Sequence, residues 1–137
     1  MSTTVTVSRT IKAPLDEVWA VLGDFGGLAA WHPLVPNSHL AEDGVSRIIK
    51  IPGMDVVEVL DLAESTDRSQ TYTVERSVMP MTNYRATISI REAPEGCVVE
   101  YQSRFDPKLG VPASVTRKML ERFFKTGFAA LAKKFES

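Results

Sequence analysis

Apolar and polar residues alternate along most of this chain, and the period of that alternation changes three times. Residues 3–12 put Val5, Val7 and Ile11 on one side and threonines and Ser8 on the other. A period of two with β-branched side chains predicts a strand. Ala13-Pro14 ends it. Pro14 suits a first helical position, Asp16 and Glu17 complement the positive helix start, and Val18, Trp19, Val21 and Leu22 supply an apolar face. A short helix is therefore expected. Gly23 and the pair Gly26-Gly27 interrupt it, and residues 28–31 predict a second short helical turn.

Beyond Pro36 the period of two returns. Six strands are predicted, over residues 38–42, 46–51, 56–64, 70–77, 83–92 and 98–105. Asp43-Gly44, Pro52-Gly53, the polar run 65–69, Met79-Pro80-Met81 and Pro94-Glu95-Gly96 separate them, which is hairpin chemistry. From Pro112 the spacing becomes helical: Val115, Met119, Leu120, Phe123, Phe124, Gly127, Leu131 and Phe135 recur every three or four residues. That predicts one helix of roughly 24 residues, about 36 Å long.

The order is one strand, two short helices, six strands and a long helix. It predicts an α+β fold in which the helix covers the apolar face of a seven-stranded antiparallel sheet. Such a sheet curls under its own twist, and a long helix across a curled sheet fills the space incompletely. A cavity is expected between them. At 137 residues the chain is expected to be one domain spanning 1–137.

The alternation also places unusual residues on apolar faces. Arg47 shares a strand face with Ile49 and Ile51, and Glu58 shares one with Leu60 and Leu62. An inward arginine and glutamate are costly unless they pair or meet a ligand. Either a structural salt bridge or a polar ligand anchor fits. Tyr72, Tyr84 and Tyr101 lie on inward faces of their strands, where each brings area and a hydroxyl that seeks a partner; Phe105 shares the face of Tyr101. The segment Asp24-Phe25-Gly26-Gly27-Leu28-Ala29-Ala30-Trp31-His32-Pro33 cannot be a plain helix or strand. Pro33 pushes His32 out of the α region, so Trp31 and His32 are expected at a bend where a bound molecule touches them. His32 is a candidate acid or base or a satisfied structural histidine. Met54, Met79 and Met81, in the turns around 51–54 and 78–81, would make an adaptable apolar mouth.

Composition narrows the classes. The 44% apolar and 24% charged content is that of a soluble globular domain. Net charge is −1, so bulk electrostatics favour neither nucleic acid nor membrane. Residues 108–137 nevertheless hold seven basic and two acidic groups, read as a solvated helix face. The single cysteine, Cys97, rules out an internal disulfide and has no local base to activate it. Two histidines without ligand spacing argue against a metal, and no nucleophile elbow, phosphate loop or dinucleotide fingerprint occurs. The start lacks a basic-then-apolar leader and no run approaches a membrane span, so a cytoplasmic protein is expected.

Several stretches carry a family resemblance: Ala13-Pro14-Leu15-Asp16-Glu17-Val18-Trp19, Asp24-Phe25 with Trp31-His32-Pro33, Arg47, Glu58 with Leu60, Thr71-Tyr72, Pro80 with Asn83-Tyr84, and Phe105. With the element order, they make the chain resemble the START-like or SRPBCC superfamily, which has the helix-grip fold. Within it the chain looks most like the polyketide cyclase/dehydrase and lipid-transport group. The resemblance implies a curved sheet wrapped on the last helix and an internal cavity for a lipid-, polyketide- or aromatic-like molecule. It does not choose between binder and catalyst, since one fold hosts both. The leading expectation is a cofactor-independent binding protein. Its expected lining is Trp31, His32, Arg47, Glu58, Tyr72, Met79, Tyr84, Tyr101, Phe105, Met119 and Phe123. The alternative is a cyclase, dehydratase or isomerase in the same cavity, with His32, Glu58 or Arg47 moving protons. A small hydrophobic ligand is the expected partner, with no nucleic acid and no membrane insertion.

Overall fold

The computed structural model describes residues 2–51, 54–61, 64–76 and 80–136. Its elements follow the predicted order. Strand β1 (Thr3–Ile11) is followed by helix α1 (Leu15–Leu22) and a 3₁₀ segment (Phe25–Ala30). Then come β2 (Asn37–Leu40), β3 (Ser46–Ile51), β4 (Met54–Asp61), β5 (Ser69–Arg76), β6 (Met81–Ala93) and β7 (Gly96–Pro107), and finally helix α2 (Ala113–Glu136). Pro14 precedes α1 in extended conformation, and Asp16 and Glu17 occupy its first turn.

All seven strands join one antiparallel sheet in the order β1-β7-β6-β5-β4-β3-β2. Sequential hairpins explain every neighbour except β1, which pairs with β7 from Thr3↔Phe105 to Ile11↔Cys97. The α+β helix-grip architecture follows: a curved sheet with α2 against its inner face. Val5, Val7 and Ile11 from β1, Val99, Tyr101 and Phe105 from β7, and Phe128 and Leu131 from α2 form the centre of the core.

Two irregularities shape the sheet. Between Val57 and Glu58 the β4–β5 register shifts, so Glu75 has no opposite residue. Between Thr82 and Arg85 the β6–β7 register shifts again, and Asn83 there takes φ 52°. A bulge of this kind bends its strand and re-aims the side chains beside it. Met81 and Tyr84, three residues apart, are both buried while Thr82 and Asn83 between them are exposed.

Helix α2 presents a face slightly different from the expected one. Val115 and Met119 are 47% and 45% exposed, whereas Thr116 is fully buried. The Thr116 hydroxyl donates to the Pro80 carbonyl at 3.2 Å, which turns that position inward. Phe128, which the spacing argument passed over, is fully buried and stacks on Trp31 with ring centroids 6.2 Å apart.

Candidate functional site

Between the sheet and α2 lies a pocket of about 200 Å³. The helix contributes Met119, Leu120, Phe123 and Phe124 to its wall, and the 3₁₀ segment contributes Leu28. Strands β3 and β4 contribute Arg47, Ile49, Val56 and Glu58, and β5 and β6 contribute Tyr72, Met81 and Tyr84. The wall is mostly hydrocarbon, with its polar groups confined to the arginine, the glutamate and the two tyrosines.

Arg47 and Glu58 stand directly opposite each other on β3 and β4. Both are buried, and the Arg47 Nε–H donates to Glu58 Oε1 at 2.6 Å, with Nη2 also 2.6 Å from that oxygen. Arg47 Nη1 donates to the Phe25 carbonyl at 3.1 Å. The guanidinium carbon sits 4.2 Å from the Phe25 ring centroid and 4.8 Å from that of Tyr72. The cation is thus held by a carboxylate, a carbonyl and two ring faces. Burial pushes the Glu58 carboxyl above the usual carboxylate range, and the Arg47 charge pulls it partly back.

The tyrosines form a second polar group. The Tyr84 and Tyr101 hydroxyls are 2.7 Å apart, and the Tyr101 hydroxyl donates to Ser103 Oγ at 2.7 Å. Tyr101 is fully buried, stacked on Phe124 at 3.5 Å between centroids. The Tyr72 hydroxyl lies within electrostatic reach of Glu58 and Arg47, and although Tyr84 is its hydrogen-bonding neighbour it is buried without a partner in good hydrogen-bond geometry. Leaving such a group unpaired costs about 1–3 kcal/mol. Burial raises the pKa of all three phenols, so each is neutral at physiological pH.

Six of the expected site residues come together here: Arg47, Glu58, Tyr72, Tyr84, Met119 and Phe123. Four others lie away from the pocket wall. Tyr101 stands behind Tyr84, and Phe105 is buried in the core. Trp31 packs on Phe128, and His32 is clamped against α2. Leu34 N–H donates to His32 Nδ1 at 3.1 Å, so the ring proton is on Nε2, which donates to the Phe123 carbonyl at 2.8 Å. Burial lowers the His32 pKa to about 4, with the Phe123 carbonyl opposing the shift. Both His32 nitrogens are thus engaged away from the pocket, and neither Trp31 nor His32, expected at a bend that meets a ligand, lies in the pocket wall. Met79 lies outside the described residues, as do Pro52, Gly53 and Val78 of the two methionine turns.

Sequence reasoning passed over Leu28, Ile49, Val56, Leu120 and Phe124 as lining, and it placed Met81 at the mouth of the cavity rather than in its wall. Ile49 was visible as the face-mate of Arg47, and Leu120 and Phe124 as members of the helix face. In the sequence Met81 reads only as part of a turn at the mouth, because strict alternation from Tyr84 sends it outward and only the bulge returns it to the wall. Among the described residues, no group of three His, Cys, Asp or Glu side chains could hold a metal. No described helix is long and apolar enough to cross a membrane.

This geometry has close parallels. A Bacillus cereus protein, XoxI, shares 29% identity and superposes with a TM-score of 0.88 over 99% of this chain and 96% of its own. An uncharacterised Bacillus thuringiensis protein shares 29% identity at a TM-score of 0.87, with all of both chains covered. A START superfamily protein from Mycobacterium smegmatis, 15% identical, has the same fold at a TM-score of 0.75 over 98% of this chain and 97% of its own. No curated protein matches the sequence. The family described as polyketide cyclase/dehydrase and lipid transport matches residues 2–136. With that match across the chain and the helix-grip sheet beneath it, the protein belongs to the polyketide cyclase/dehydrase and lipid-transport family.

Proposed function

We propose that this chain is a single binding domain, residues 1–137, that holds a small hydrophobic molecule in the pocket between its sheet and α2. The observation that carries the reading is the pocket's wall: apolar side chains interrupted by a few convergent polar groups, the usual make-up of a small-molecule site. Its volume of about 200 Å³ sets the scale. An apolar cavity of about 150 Å³ holds benzene. This one suits a substituted ring or a short chain rather than a long acyl chain. Binding is favoured over proton-transfer catalysis because His32, the side chain best suited to move a proton at neutral pH, is turned away from the pocket with both nitrogens occupied.

Native mass spectrometry of protein purified from cells tests the proposal. The expected result is a non-covalent adduct of low mass that is displaced by excess toluene and is lost when Leu120→Trp fills the pocket. No adduct, together with no heat on titration with toluene, overturns it. Product formation from the captured molecule by the parent protein would move the reading to catalysis.

A further inference from the structure

The hydroxyl chain at the pocket wall has a direction. A phenol carries one proton. The proton of Tyr101 is directed to Ser103 Oγ, so the proton in the Tyr84–Tyr101 hydrogen bond must come from Tyr84. Tyr84 is therefore left with only lone pairs for anything on its other side. Tyr72, its neighbour on the adjacent strand β5 with ring centroids 6.2 Å apart, has the opposite surplus: a buried hydroxyl with no partner in hydrogen-bond geometry. The pocket thus offers one unengaged donor, Tyr72, and one unengaged acceptor, Tyr84. The Arg47 cation adds little to this, since it is engaged with Glu58 Oε1, with the Phe25 carbonyl and with two rings.

We infer that the pocket selects a neutral molecule bearing a hydroxyl, of about one ring in size, whose O–H donates to Tyr84 and whose oxygen accepts from Tyr72. This deepens the binding proposal above and rests on it. A hydroxyl alone among simple oxygen groups does both. An ether or carbonyl satisfies Tyr72 and leaves Tyr84 unmet. A hydrocarbon satisfies neither. A carboxylate brings a charge into an apolar space whose one cation already has its counter-ion, so its desolvation goes uncompensated. Tyr101 acts here as a positioning residue: it lies off the pocket wall and fixes which way Tyr84 turns its proton.

Four probes of nearly equal size test this by calorimetric titration: p-cresol, 4-methylanisole, toluene and p-toluate. One net hydrogen bond corresponds to about fivefold in affinity. The parent is expected to bind p-cresol about fivefold tighter than 4-methylanisole, and that about fivefold tighter than toluene, with p-toluate weakest. In Tyr72→Phe the methylanisole and toluene affinities should converge. In Tyr84→Phe the cresol and methylanisole affinities should converge. Tyr101→Phe leaves the cavity wall intact but frees the Tyr84 proton to turn inward, so methylanisole should gain on cresol, a shift that loss of packing alone would not produce. Toluene binding within about twofold of the parent reports an intact cavity in each variant. Toluene as tight as p-cresol in the parent overturns the inference and leaves the binding proposal standing, as does a cresol preference that survives both Tyr72→Phe and Tyr84→Phe. Failure of all four probes overturns the binding proposal itself.

Discussion

Gly127→Ala sets two well-understood effects against each other inside α2. Glycine in a helix interior is about 1 kcal/mol less favourable than alanine, so propensity alone predicts stabilisation. The structure predicts the reverse. A Cβ at Gly127 would lie 2.5 Å from His32 Cδ2, 2.7 Å from His32 Nε2 and 3.0 Å from Trp31 Cζ3. The His32 ring would have to retreat by about 1 Å to restore ordinary contact. It is held by the Phe123 carbonyl at 2.8 Å and the Leu34 N–H at 3.1 Å, and it stacks on Phe123 at 3.9 Å between centroids. Overpacking costs about 1–3 kcal/mol, and stranding a buried donor costs about as much again. Less the propensity gain, the net loss is about 1–5 kcal/mol. With about 2.1 cal/mol/K of unfolding entropy per residue, a chain of this length should then melt roughly 3–17 °C lower. Urea denaturation followed by circular dichroism, with an unchanged m-value, measures the free energy directly. The same substitution in a His32→Ala background removes the clash, and there Gly127→Ala should stabilise by up to about 1 kcal/mol. If Gly127→Ala is as stable as the parent, or if its effect keeps the same sign in both backgrounds, the close approach of His32 is not what requires the glycine.

Three further expectations concern charge and reactivity. Arg47→Met strands the buried Glu58 carboxylate and should cost about 3–5 kcal/mol at pH 8, whereas Arg47→Met/Glu58→Leu should match or exceed the parent. Because Glu58 is already raised by burial, the single variant should regain stability as pH falls and the carboxyl takes up its proton; a loss that is flat with pH would contradict a buried carboxylate. His32 behaves oppositely: the unfolded ring protonates near pH 6.5 and the folded one only near about 4, so stability should fall by up to about 3 kcal/mol between those pH values. His32→Gln should lack that part of the slope, and urea midpoints across pH 4–8 read the difference. Cys97, fully buried with its thiol pKa raised, should react with an aromatic disulfide reagent no faster than the protein unfolds; prompt labelling of the native state would refute its enclosure.

Local chemistry determined the elements of this protein, and with them most of its architecture. Val5, Val7 and Ile11 alternate as β1 does, Asp43-Gly44 and Glu95-Gly96 mark turns, and the spacing from Leu120 to Leu131 defines the buried stripe of α2. The opposition of Arg47 and Glu58 was also legible, since two charged residues on apolar faces of adjacent strands have few other places to go. Contacts between distant segments decided the rest. The Thr116 bond to Pro80 rolls the start of α2 so that Val115 faces out, and the bulge at Asn83 turns Met81 inward against simple alternation. His32 looked free to serve a ligand because only its Nδ1 has a partner near in sequence, the Leu34 N–H; the receiver of its ring proton is the Phe123 carbonyl, 91 residues on. The direction of the hydroxyl chain from Tyr84 through Tyr101 to Ser103 likewise needs two strands in register. Periodicity reports which side of an element is apolar, but a hydrogen-bond partner from another element is fixed only when the chain closes on itself.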